Sequence, residues 1–115
     1  EVVISDKLIA ATGEAYRKIR NTLRGLMMNL YDFNPEIDAI AITQLTPFDR
    51  YFLTELSELN EKLIKSYLAY NITGVMHGIL DFCTHEISAF YLDIMKDRLY
   101  CDATKSHRRR SAQTV

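Results

Sequence analysis

The chain is poor in cysteine and has no long apolar run, and each absence excludes a class of protein. Its two cysteines, Cys83 and Cys101, form no CxxC pair and have no secretory context. A disulfide framework or a zinc knuckle is left without support, and reduced thiols in a cytoplasmic setting are expected. No apolar run approaches the ~18 residues that span a bilayer, and no basic-then-apolar leader opens the chain, so no membrane partner is expected. A Gly-rich phosphate loop, a GxSxG elbow, a paired-cysteine metal site and a nucleophile beside a plausible base are missing too. We therefore expect no catalytic residue and no cofactor in this chain. Internal repeats, low-complexity tracts and convincing strand patterns are also absent.

What is present has the composition of an ordinary globular protein. At 115 residues the chain suits one domain, residues 1–115, burying roughly two-thirds of its unfolded surface. Apolar content of 48% and charged content of 25% indicate neither disorder nor a fibrous class. The net charge of −1 argues against wholesale nucleic-acid binding, but the charges are segregated. Residues 1–31 hold five basic and three acidic side chains, residues 32–93 three and ten, and residues 94–115 six and two. Two basic ends around an acidic middle can hide a basic face. The chain opens at Glu1 rather than at a methionine and stops at Val115 as a polar, basic run turns apolar; a piece of something longer is expected.

Leu8, Thr12, Tyr16, Ile19, Leu23, Leu26 and Leu30 recur every three or four residues, which predicts a helix of six turns with that face buried. Ser5 or Asp6 caps its start, and Asn34-Pro35 stops it soon after Tyr31. Residues 35–44 read as a connector. Thr46-Pro47-Phe48-Asp49 opens a second helix, with Thr46 as cap, Pro47 at the first position and Asp49 favourable to the positive end. It runs to about Tyr70, burying Phe52, Leu56, Leu59, Leu63, Tyr67 and Tyr70, with Glu58–Lys62 and Glu61–Lys65 as i,i+4 pairs on its solvated side. A third helical region runs from Ile72 to about Arg98. Gly74 and Gly78 weaken it or admit a neighbouring backbone, and a break near Cys83–His85 is open. Ser106 caps a last helix that the chain end truncates. The expected fold is an all-α bundle of three long helices and a cut fourth.

Arg17, Arg20, Asn21 and Arg24 fall within about a third of the first helix's circumference, beside its apolar face, with Lys18 at the margin. Such a row suits phosphates, because guanidinium groups bind phosphate oxygens bidentately. Charge runs on helices are common without a ligand, so spacing alone favours a solvated face whose arginines pair with the acidic middle of the chain. Lys105-Ser106-His107-Arg108-Arg109-Arg110 reads either as a phosphate-binding or targeting patch or as the exposed start of the last helix. His77, Asp81 and His85 share a helix face but span two turns, too far for one tetrahedral ion, and surface histidines are the commoner case. Tyr91 reads as packing; Tyr100, just past the third helix, is open to stacking on a base.

Residues Glu14–Arg24 (EAYRKIRNTLR), followed by Asn29-Leu30-Tyr31-Asp32-Phe33, together with Ser88–Asp102 (SAFYLDIMKDRLYCD) and Arg108–Val115 (RRRSAQTV), resemble in order the anticodon-binding domain of bacterial-type isoleucyl-tRNA synthetases. The resemblance implies an all-α bundle of the class Ia aminoacyl-tRNA synthetase anticodon-binding type, cut at its last helix. It implies a cytoplasmic ATP-dependent ligase that esterifies isoleucine to its tRNA, with this domain gripping the anticodon stem and loop and contacting other domains of the synthetase. The HIGH-like and KMSKS-like motifs of that family are absent here, so ATP, magnesium and zinc would belong to other domains. Under this resemblance the expected tRNA contacts are Arg17, Arg20, Asn21 and Arg24, with Arg98, Arg108 and Arg109 as further ones. The competing expectation is a structural domain whose stripe pairs with carboxylates such as Glu55 or Glu58.

Overall fold

A computed structural model describes residues 3–115 and is helical throughout, with no strand among the described residues. Helix α1 spans Asp6–Met28, a short α2 Pro35–Asp38, α3 Pro47–Leu68 and α4 Ile72–Asp81. A π-helical segment, Phe82–Tyr91, continues α4 into α5, Leu92–Tyr100, and α6 covers His107–Thr114. No described helix is long and apolar enough to cross a membrane.

Side-chain caps decide where the helices start. Ser5 Oγ accepts from Leu8 N at 3.3 Å, Thr46 Oγ1 from Asp49 N at 3.3 Å and Ser106 Oγ from Arg109 N at 3.2 Å. Each takes up an amide that the first turn leaves without an intrahelical acceptor. Asn71 caps α4 through Gly74 N at 3.0 Å, and a Cβ on Gly74 would sit 2.5 Å from the Asn71 amide nitrogen. Glycine there makes room for the cap. Gly78 lets α4 close on α3, since a Cβ would meet Leu63 Cδ2 at 3.0 Å.

The third helical region is continuous. Its middle is wound wider, as in the Leu92 amide bonding the Ile87 carbonyl five residues back. Phe82 and Ile87 would lie about 140° apart on an α-helical wheel, yet both pack on one core in the wider turn. That core holds Phe52, Phe82, Tyr91, Met95 and Ala112, with the Phe52 and Tyr91 rings stacked at 4.1 Å between centroids.

Several expected features differ. The apolar face of α1 is largely open: Leu8, Tyr16 and Leu23 are exposed and only Thr22 is buried. Helix α1 lies across the π segment around Thr22, whose hydroxyl sits 3.3 Å from Ser88 Oγ. On α3, Phe52 is buried while Leu56 and Tyr67, and Tyr70 just past its end, are exposed, because α4 covers only part of that face. Residues 35–44 hold α2 and a 3₁₀ turn at Ile42–Gln44 rather than a plain connector. Glu58–Lys62 and Glu61–Lys65 form no ion pair within 4 Å; the only α3 residue in an ion pair among the described ones is Asp49.

Candidate nucleic-acid interface

The stripe on α1 is presented to solvent. Arg17, Arg20, Asn21 and Arg24 are all exposed. Arg17 pairs with Glu14 one turn earlier on the same surface. Among the described residues Arg20 and Arg24 meet no carboxylate, and neither reaches Glu55 or Glu58. Beside them Tyr16, Ile19, Leu23, Met27 and Met28 wall a shallow open groove. Among the described residues the stripe thus holds two cations without a carboxylate, Arg20 and Arg24, along an apolar trough.

The C-terminal basic residues divide between surface and interior. Arg108 stays exposed, its Nε 3.4 Å from Asp102. Arg109 is buried and grips Asp32 with both terminal nitrogens, at 2.6 and 2.9 Å. That hydrogen-bonded guanidinium, above all, lowers the Asp32 carboxyl to a pKa of about 2 against the opposing effect of burial, with Gln113 adding to it. Arg110 donates to the Asp32 carbonyl at 2.8 Å and to Gln113 Oε1 at 2.9 Å, while Gln113 Nε2 donates to the Asn29 carbonyl at 2.8 Å. Together these bonds clasp α6 to the turn that ends α1.

Arg98 is committed in the same way, donating to Asp49 Oδ2 at 2.9 Å. Asp49 is fully buried and also accepts from Thr46 Oγ1 at 2.6 Å, Ser111 Oγ at 2.7 Å and the Tyr91 hydroxyl at 3.0 Å. Burial first, and then the Asp49 charge, push the Tyr91 phenol well above its ordinary range.

The structure places Arg98 and Arg109, expected above as further tRNA contacts, against carboxylates of the chain's own fold. A guanidinium taken out of water needs a carboxylate beside it, and Asp49 and Asp32 supply one each. Arg110 leaves the expected basic patch for the same reason, so only Lys105 and Arg108 of its fixed charges face outward. His77, Asp81 and His85 are exposed, and among the described residues no three potential metal ligands come together. Asp32, Ser111 and Gln113 were not singled out by composition or periodicity; their one signal is that they lie in segments 29–33 and 108–115, which carry the resemblance. The sequence marks Asp49 only as a favourable charge at the start of α3, not as the acceptor of Arg98, Ser111 and Tyr91.

Comparison with known proteins agrees with this geometry. A family model described as the anticodon-binding domain of tRNA ligase matches residues 49–115. An isoleucine–tRNA ligase of Desulforudis audaxviator is 44% identical over the whole chain, one of Bacillus cytotoxicus 48% and one of Geobacillus kaustophilus 47%. The chain spans 12% of the length of each of these relatives. With more than half of its residues matched and the packed core of Phe52, Phe82, Tyr91, Met95 and Ala112 inside the matched span, the chain belongs to the family of tRNA-ligase anticodon-binding domains.

Proposed function

We propose that this domain holds the anticodon stem and loop of an isoleucine-accepting tRNA, in the cytoplasm, for aminoacylation by a catalytic unit outside the 115 residues. The carrying observation is that Arg20 and Arg24 are exposed and without a carboxylate among the described residues, in a domain of this family. Arg17 and Asn21 extend the row, and Arg108 adds an outlying charge. The guanidinium groups take phosphate oxygens of the stem, which fixes position without reading sequence. The contribution to the reaction is placement of the distant acceptor end, and the ligase activity, ATP use and any metal belong to the rest of the enzyme.

Charge reversal at Arg20 and Arg24 (Arg20→Glu with Arg24→Glu) in the intact ligase tests this. Affinity for the isoleucine tRNA should fall, and the slope of log affinity against log salt should become shallower by roughly 2, one per lost phosphate contact. Formation of isoleucyl-adenylate should not change. Equal tRNA affinity at two salt concentrations would overturn the proposal and favour a purely structural domain.

A further inference from the structure

The first and last rings of the π segment reach the same core residue. Phe82 and Tyr91, nine residues apart, would stand about 180° apart on an α-helical wheel, yet both pack on the Phe52 ring, at 5.6 and 4.1 Å between centroids. The wider winding brings both ends of the segment to one face, and it fixes where Ser88, between them, is carried. Ser88 meets α1 there. The Thr22 hydroxyl, its own proton spent on the Lys18 carbonyl at 2.9 Å, accepts from the Ser88 hydroxyl at 3.3 Å. Thr22 is the single buried residue of α1. Arg20 and Arg24 lie about 160° from it on either side of the wheel, with Arg17 about 140° away. The residue that seats α1 therefore points opposite to the stripe.

We infer that Thr22 and Ser88 are positioning residues for the tRNA grip. The π winding, locked by Phe82 and Tyr91 on Phe52, holds Ser88 under Thr22, and this seat sets the direction in which Arg17, Arg20 and Arg24 face. Little else orients α1, because most of its apolar face is open and, among the described residues, its basic side chains make no ion pair with another element. A charge-assisted hydrogen bond to a phosphate oxygen holds only over about 2.7–2.9 Å, so a rotated helix loses several such bonds at once while keeping its charges. Wide turns inside α-helices are frequent where function depends on local geometry. The inference rests on the phosphate-grip reading above and deepens it by naming what aims the stripe.

The test uses the full-length ligase and the isoleucine tRNA. Deleting His85, an exposed residue of the π segment, leaves Phe82 and Tyr91 eight residues apart, about 80° on an α-helical wheel, so the segment can wind as an α-helix with both rings still on Phe52. Ser88 then turns away from Thr22. Affinity for tRNA should fall roughly 10- to 100-fold, and the slope of log affinity against log salt should become shallower by roughly 2. Far-UV helicity, the thermal transition and isoleucyl-adenylate formation should match the parent. Thr22→Phe, which wedges a ring into the 3.3 Å contact, should move affinity and slope in the same direction without a change of chain length. Thr22→Val, which keeps the shape of the contact, should keep the parental slope. Parental affinity in Thr22→Phe overturns the seat. So does a loss of affinity at the parental slope, or a lowered thermal transition with tRNA binding intact, which marks a merely structural role. If deletion of His85 unfolds the domain, the two Thr22 variants decide alone. If Arg20→Glu with Arg24→Glu weakens binding while the Thr22→Phe and His85-deletion variants do not, the grip stands and the seat falls. If the double reversal has no effect, the grip falls and the seat with it.

Discussion

A guanidinium keeps its charge even out of water, so it is buried at tolerable cost only where an acid meets it, and that requirement explains the different fates of this chain's arginines. Arg98 and Arg109 lie 49 and 77 residues from the carboxylates that receive them. Spacing along one helix cannot reveal such a pairing, whereas the stripe from Arg17 to Arg24 is local and could be read directly. The acidic middle segment does neutralise basic residues, but those of the C-terminal end rather than those of α1. Asp32 shows what this contributes to stability. Its folded pKa of about 2 lies below its ordinary 3.8, so the stabilisation is fully present above about pH 4 and is lost as pH falls through about 2. Its side chain keeps some access to solvent, which limits the effect to about 1–2 kcal/mol. Asp32→Asn should destabilise the fold at neutral pH by about 2–4 kcal/mol, because it leaves Arg109 buried without a full counter-charge. Urea unfolding across pH checks both points: the gap between parent and variant should narrow by about 1–2 kcal/mol as pH falls to about 2, and a gap independent of pH would refute the assignment.

At the scale of elements, the helix starts were legible because capping is local chemistry. Ser5, Thr46 and Ser106 cap as their sequence contexts predict. The π segment was not, since its five-residue step between Phe82 and Ile87 reads as a lapse in α periodicity rather than as a wider turn. The exposed face of α1 was illegible for another reason: periodicity identifies an apolar face but not whether another element covers it. The end of α3 illustrates a further local rule. Tyr70 adopts φ 56°, with Asn71 N bonded to the Ser66 carbonyl at 2.8 Å and Tyr70 N to that of Tyr67 at 3.0 Å. This is a Schellman ending in which glycine is the usual residue. The left-handed backbone costs a non-glycine residue roughly 1–2 kcal/mol, while glycine loses about 0.5–1 kcal/mol more entropy on folding. Tyr70 is 90% exposed, so its ring contributes little packing to offset the strain. Tyr70→Gly should therefore stabilise the domain by about 0.5–1 kcal/mol, seen as a thermal midpoint raised by roughly 2–6 °C. A lowered midpoint would show that the ring packs or that the turn is not strained.

Across the whole molecule, one short helix unites segments distant in sequence. Helix α6 has eight residues, well below the length at which a helix is stable alone in water, so its structure depends on docking. The docking bonds run from Ser111 to Asp49, from the Thr46 amide to Ser111 Oγ at 3.0 Å, from the Ile40 amide to Thr114 Oγ1 at 3.0 Å and from Arg109 to Asp32. The α3–α4 hairpin is different, because Leu59 and Leu63 against Gly78 are contacts close in sequence. Contacts near in sequence close with less loss of chain entropy than distant ones, so the two regions should differ in how they open. Asp49→Ala removes the common acceptor of Arg98, Ser111 and Tyr91 and leaves the half-buried Arg98 charge unpaired, a loss of about 3 kcal/mol. Amide hydrogen exchange should then show α6 losing its protection while Leu59–Leu63 in α3 keep theirs. Ser111→Ala, which removes one donor and leaves the Arg98–Asp49 pair intact, should give the same pattern at smaller amplitude, and it guards against Asp49→Ala unfolding the whole chain. Parental protection in α6 of both variants, or equal loss in α6 and α3 of the Ser111 variant, would refute a fold whose far ends are joined through Asp49.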